Sequence, residues 1–597
     1  MNRADSPTHD LGSILDTVSG PEMMAHMQAF ARWTKHAGSE EELLSLRHVQ
    51  GTMEEYGYAT SLILHDAYIS LPGKARVEGL GRDFRAIAHS FSRSTAPAGT
   101  AAEVVYLGSG SEEEFVAAEV RGKIALIDGI ANPAATLRAS RAGAVGQVHV
   151  SPHEHLHEMC ISPVWGSPTH ETAGNLPSTV VVTVPFEEGE AIKEALDRSG
   201  RLELIIHAEV DTGWRETPIL VAELVSSGGD EEEPFVLFTG HHDTWYYGVM
   251  DNGGANATML EVARLCALHR DRWRRGLRVI FWSGHSQGRY SSSTWYADSN
   301  WEELETRALV HVNVDSTGGQ GNTIVADTTA AAELRGLARE ALMAQAEQEF
   351  SGRRMGRAGD QSFWGIGVPA IFGNMSEQPA SGEANASAAV FGGRNRLGHG
   401  TGWWWHTPHD TLDKIDEQIL VRDTRIYLHV VWRLLTDQVL PLDYAEHGRY
   451  LRSELDGLQK RVGDLFDLGE PIRRAGRLVQ RAELLNRHRH EATGERAERL
   501  NRCLVDISRT LVPIDYTAVD RFDHDPALSL KAIPTLRPLE RLADLEPSSA
   551  EFKFLVTGMT RARNKVAWAI RLATETIEKY LADQGGGQAI QGDHAVD

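Results

Sequence analysis

His241, His242, Asp243 and Asp251 crowd into one short stretch, GHHDTWYYGVMDNGG. Imidazole nitrogens and carboxylate oxygens are donors that zinc, manganese and iron accept. The same residue types are common in plain solvated loops, so their setting has to decide. Ahead of them Phe235 to Phe238 is an apolar run that reads as a buried strand, and after them Gly253-Gly254 leads into an Ala/Met/Leu-rich helix. Strand, polar loop and helix in that order place ligand-binding groups at the carboxyl end of a sheet strand.

Three more strand-like runs end in the same way. LRVIFWSG is followed by His285, Ser286 and Gln287; ALVHVNVD ends on Asp315; VPAIFG leads through a glycine-rich loop to GWWWHTPHDT, which holds His406. Repeated delivery of polar residues to one sheet edge is a far stronger signal than any one loop. Competing readings are poorer. SGHSQG lacks the G-x-S-x-G spacing of a nucleophile elbow, and GGANA is neither a dinucleotide nor a P-loop fingerprint. His153, His155 and His157 alternate in SPHEHLHEMC and read as a solvated loop, His242 reads as pointing away from the metal, and His399 and His409 read as loop histidines facing solvent.

The elements needed to position these groups are legible around them. Strand-like runs alternate with helical stretches from Pro218 onward, including LVAELVS and NTIVAD among the strands, which implies a largely parallel sheet covered by helices on both faces. Residues 1–20 are polar and read as a flexible tail. Residues 21–85 and 216–436 read as one α/β domain, with Ser39 and Glu42 forming a capping box at a helix start. Residues 86–215 read as a β-rich insertion and residues 437–597 as a helical domain. The 597-residue length requires several cores. A net charge of −23 argues against nucleic acid or anionic membrane as partner. The three scattered cysteines suggest neither a disulfide framework nor a thiolate zinc site, and with no apolar leader or membrane-length run the expectation is a cytoplasmic protein.

Taken together the motifs resemble the co-catalytic zinc exopeptidases, in the branch of glutamate carboxypeptidase and the transferrin receptor. His241-His242-Asp243 matches that family's HxD motif, Asp251-Asn252 its bridging-aspartate pair, Asn313-Val314-Asp315 its N-x-D strand, and Trp405-His406-Thr407-Pro408-His409-Asp410-Thr411 its last histidine motif. The resemblance implies that His241, Asp251 and Asp315 bind one metal, that Asp251 bridges to a second held by His406, and that Asp243 orients His241 from behind. It implies zinc, as one or two ions, with manganese or iron as alternatives. It further implies that the insertion is a protease-associated domain, that the helical end makes a homodimer, and that Gly359 to Pro369, with Asp360 and Trp364, lies beside the substrate. Trp405 belongs to the same expected pocket wall.

The third motif departs from the family. Where a Glu-Glu pair is expected, this chain has His285-Ser286. The first glutamate is the general base in the family and the second a metal ligand. Histidine can act as a base near neutral pH, whereas serine is a poor zinc ligand. Three readings stay open: an amide hydrolase acting through metal-activated water, with His285 as base or replacement ligand; a single-metal version of it; and an inactive dimeric scaffold.

Overall fold

The computed structural model describes residues 7–380, 400–489 and 491–584. Its strands are β1 (Ala59–Gly79), β2 (Arg82–Ala88), β3 (Thr100–Tyr106), β4 (Ile124–Asp128), β5 (Gly146–Val150), β6 (Val180–Val184), β7 (Glu203–Leu224), β8 (Phe235–His241), β9 (Gly276–Trp282), β10 (Ala308–Asp315) and β11 (Ala370–Asn374). In one half of the sheet β9, β8, β10 and β11 run parallel, and β9 pairs antiparallel with β7. β8 and β9 are buried at every position, as expected of strands covered on both faces. Because the four strands are parallel, all four carboxyl ends reach the same edge.

The long strands β1 and β7 pair antiparallel along most of their length and cross from this sheet into the insertion. There the pairings β1–β2–β6–β5–β4–β3–β7 return to β1, so the insertion strands close a ring. Val77, Phe84, Leu126, Val148, Val182 and Leu204 form a core of their own there. A boundary at residue 86 therefore misses the structure: the insertion begins inside β1 and ends inside β7.

Two other expectations change. The tail expected over residues 1–20 is helical from Pro7 to Leu15, and Leu11, Ile14 and Leu15 are buried in the main core. NTIVAD is no strand; it contributes one isolated bridge, Ile324 with Glu377. The box at Ser39 closes by half. Ser39 Oγ accepts the Glu42 N–H at 3.1 Å, but Glu42 turns inward and accepts the Gly38 N–H at 2.7 Å.

The C-terminal region is helical, with helices at Tyr444–Val462, Gly469–Arg489, Glu495–Tyr516 and Ala550–Gln584. It holds the loop between β10 and β11. Arg354 Nη2 donates to the Asp515 carbonyl (2.7 Å), Arg357 Nε donates to the Pro526 carbonyl (2.9 Å), and Trp364 stacks on Tyr516 at 4.3 Å. Among the described residues no helix is long and apolar enough to cross a membrane.

Candidate metal centre

His241 is the last residue of β8 and Asp315 the last of β10; Asp251 lies in the turn Val249–Gly254, just before the helix Ala255–Leu268. The turn packs tightly on the β10 end: a Cβ at Gly254 would stand 2.3 Å from the Thr317 carbonyl oxygen. Asn252 ties the two strand ends together, donating to the carbonyls of His241 and Val314 (3.3 Å each) and accepting the Ser316 N–H (2.9 Å).

Asp251 sits between two histidines. Its Oδ1 is 3.2 Å from His241 Nε2 and its Oδ2 is 3.1 Å from His406 Nε2, while Asp315 Oδ1 is 3.8 Å from His241 Nε2. The other nitrogen of each ring is already spent: His241 Nδ1 donates to the Asp243 carbonyl (2.8 Å) and His406 Nδ1 to the Glu158 carbonyl (2.6 Å). A carbonyl only accepts, so each Nδ1 carries the proton and each Nε2 turns its lone pair toward Asp251. Among the described residues His241 Nε2 and Asp251 Oδ1 are buried without a hydrogen-bond partner. Lone pairs facing carboxylate oxygens across about 3 Å call for a cation between them. Burial would depress His241, but Asp251 and Asp315 outweigh it and hold the imidazole well above its usual range, so without a metal a proton on Nε2 takes the place of the cation. The donor set and the unpartnered atoms fit a divalent zinc ion.

His285 lies just beyond β9. One of its ring nitrogens falls within 4.8 Å of the ligand atoms of His241 and Asp315, and its ring stacks on His241 with centroids 3.8 Å apart and planes 13° from parallel. Its Nδ1 is 2.9 Å from Asp360 Oδ2. Burial would raise Asp360, yet His285 draws its carboxyl below the usual range.

Several expected roles need correction. Asp360, expected to touch substrate, is buried and faces His285 instead. Trp364, expected in a pocket wall, is core against the helical region. Asp243 does orient His241, but through its backbone; its carboxylate accepts the N–H groups of His285 (3.1 Å) and Ser286 (2.8 Å) and so holds the turn after β9. Trp405 is buried and stacks on His406 at 3.5 Å, so it backs the histidine. His157 is buried, with Nδ1 donating to the Trp405 carbonyl (2.6 Å) rather than facing solvent. His242 does point away, toward Asn256 (2.7 Å) and Ser45 (2.8 Å). His399 lies outside the described residues.

Asp410 escaped sequence reasoning although it lies in the last histidine motif. Its two oxygens accept the N–H groups of Met250 (2.8 Å) and Asp251 (3.0 Å), which fixes the turn that carries Asp251. Burial pushes its carboxyl up to about 7. A carboxylate four residues past His406 was the one local signal for it.

Comparison with known proteins gives a consistent picture. Residues 220–431 match the model of Peptidase family M28. The chain is 26% identical over 245 residues to a probable glutamate carboxypeptidase of Zea mays, a match covering 39% of this chain and 33% of that protein. It is 28% identical over 217 residues to carboxypeptidase Q of Mus musculus, covering 34% and 45%. The matches thus span less than half the length of these relatives. Among solved structures, a peptidase M28 precursor from Shewanella amazonensis superposes with a TM-score of 0.56 at 16% identity, covering 73% of this chain and 98% of that one. A zinc aminopeptidase from Bacillus subtilis gives 0.54 at 19% identity, covering 70% and 96%. At such identities the likeness is one of fold.

Proposed function

We propose, for a chain that belongs through residues 220–431 to peptidase family M28 of the co-catalytic zinc exopeptidases, that it is a zinc-dependent hydrolase of amide bonds, in peptides or small non-peptide amides. The observation that carries this reading is Asp251 set between His241 and His406, each with its Nδ1 proton already committed to a carbonyl. His241, Asp251 and Asp315 would hold the first ion. Asp251 and His406 would hold a second, more weakly, because Ser286 stands where a carboxylate is expected. A zinc ion bound there supplies a Lewis acid for the scissile carbonyl and acidifies the attacking water.

His285 serves this reading as the general base. An imidazole lone pair lies in the ring plane, so two rings stacked 13° from parallel do not aim their lone pairs at one ion. His285 Nδ1–H donates to Asp360, which leaves Nε2 free to take a proton from the attacking water and return it to the departing amine nitrogen. Asp360 then stabilises the imidazolium. Asp243 keeps the turn in register by accepting both of its N–H groups.

The test is metal analysis of the purified chain, together with turnover on a panel of aminoacyl, peptidyl and acyl-amide substrates. Zinc bound with no turnover on any of them would sink the hydrolase. On the same resemblance, residues 437–597 are the candidate self-association unit, and sedimentation showing only monomer would remove that assignment.

A further inference from the structure

His406 has to reach Asp251 from a left-handed backbone, φ +57°, which a side chain other than glycine rarely adopts. Three hydrogen bonds from the insertion hold it there. The Glu158 N–H donates to the His406 carbonyl (3.0 Å), His406 Nδ1 donates to the Glu158 carbonyl (2.6 Å), and His157 Nδ1 donates to the Trp405 carbonyl (2.6 Å). The Trp405 ring in turn stacks on His406. Two of the three bonds are backbone-defined at Glu158; the third depends on the side chain of His157.

The proton positions on His157 follow from its neighbours. A carbonyl at Nδ1 fixes the proton there, so Nε2 is an acceptor, and it faces His153 Nε2 at 3.3 Å. His153 Nδ1 accepts the His155 N–H (3.2 Å), so its own proton sits on Nε2 and points at His157. The pair is thus a hydrogen bond with every nitrogen assigned, and it offers no free lone pair to a cation.

We propose that His157 is a positioning residue: by anchoring the Trp405 carbonyl it fixes the turn from which His406 Nε2 addresses Asp251. The insertion thereby completes the metal centre of the family-matched region. This rests on the reading that His406 and Asp251 share an ion. A buried histidine that merely fills the core would affect folding without affecting one ion in particular.

Zinc titration of the chelator-treated full chain, by competition with a chromophoric chelator, separates these cases. The wild type is expected to show one tight and one weaker ion. His157→Leu, which removes the donor, is expected to weaken the weaker ion by about 10–100-fold, the usual effect of losing a group that orients a ligand. It should leave the tight ion and the thermal midpoint close to wild type. His157→Asn keeps an N–H where Nδ1 stood and is expected to restore the weaker ion. A wild-type chain that binds no zinc overturns the function proposed above, and this inference with it. A wild-type chain that binds both ions while His157→Leu matches it overturns the positioning role alone. So does equal weakening of both ions with a lowered midpoint that His157→Asn fails to restore.

Discussion

Two buried clusters in this molecule place histidine among carboxylates, and they differ in what balances the charge. At the strand ends, His241 and His406 flank Asp251, with Asp315 close by. At the junction with the helical region, His447 lies 3.1 Å from Glu333 and 3.5 Å from Asp515, and Arg354 approaches Asp515 at 3.2 Å. Both clusters contain polar atoms with no hydrogen-bond partner, so orphaned atoms alone do not mark a metal site. What separates the clusters is the second nitrogen of each ring and the balance of charge. Both nitrogens of His447 face carboxylates, and with Arg354 the cluster holds two cations against two anions. Burial alone would depress His447, but Glu333 and Asp515 push it up to about 10. The strand-end histidines each spend one nitrogen on a carbonyl, and among the described residues neither Asp251 nor Asp315 has a lysine or arginine at ion-pair distance. One cluster holds a permanent cation, Arg354, beside its imidazolium; the other has only histidines, which balance Asp251 and Asp315 by taking up protons or by sharing a metal ion.

The largest effect that would break this contrast is at His241. His241→Ala should abolish tight zinc binding and lower kcat/KM by on the order of 10³-fold, the scale of losing preorganised electrostatic stabilisation. Metal analysis decides: a variant that keeps its zinc would mean that the carbonyl-backed histidine is not a ligand. His285→Ala should cost about 10²–10⁴-fold in kcat, as loss of a general base does, while zinc content stays at the wild-type level. Zinc lost in parallel with activity would make His285 a ligand and end its role as base.

The junction cluster should respond in stability and not in chemistry. His447→Leu strips the buried carboxylates of their imidazolium and should cost about 3–5 kcal/mol, read by denaturant unfolding, with zinc uptake by the folded chain unchanged. The pH dependence has a definite sign. His447 is raised from the ordinary 6.5 to about 10 in the folded chain, so the folded state holds an extra proton between those values. Its stabilisation is complete below about 6.5 and is lost as the pH rises through about 10. Unfolding measured across that window on the zinc-free chain should show a downward slope that flattens in His447→Leu. An unchanged slope would show that another group titrates there.

How much of this was legible beforehand follows from the range of each interaction. FVLF, LRVIFW and ALVHVNV stood out because parallel strands buried on both faces are continuous apolar runs, and the residues at or just past their ends, His241, His285 and Asp315, came with them. His285 and Asp360 are 75 positions apart, and His157 and Trp405 are 248 apart. No local period encodes such pairs. The packing of Trp364 is of the same kind, since the ring it stacks on, Tyr516, belongs to a distant helix. The boundaries of the insertion were hidden because β1 and β7 continue through them with no break in composition.

The smallest effect should come from the motif that supplies His406. HTPHD places two histidines three residues apart in one turn, and the structure points them in opposite directions. His406 is turned inward against Trp405, whereas His409 is exposed, its nearest ring neighbours being Trp403 at 5.4 Å and His155 at 5.9 Å. Among the described residues His409 makes no side-chain hydrogen bond that fixes a tautomer; its backbone N–H is engaged by Thr407 Oγ1 at 3.2 Å. By the rule drawn from the two clusters, a histidine without a backing acceptor is not preorganised to hold an ion. His409→Ala should therefore change kcat/KM by less than about twofold and stability by within about 0.5 kcal/mol, as surface substitutions do. A tenfold loss of activity with zinc retained would show that this outward ring meets the substrate, and that a backing carbonyl identifies the metal ligands of the site without identifying all its working histidines.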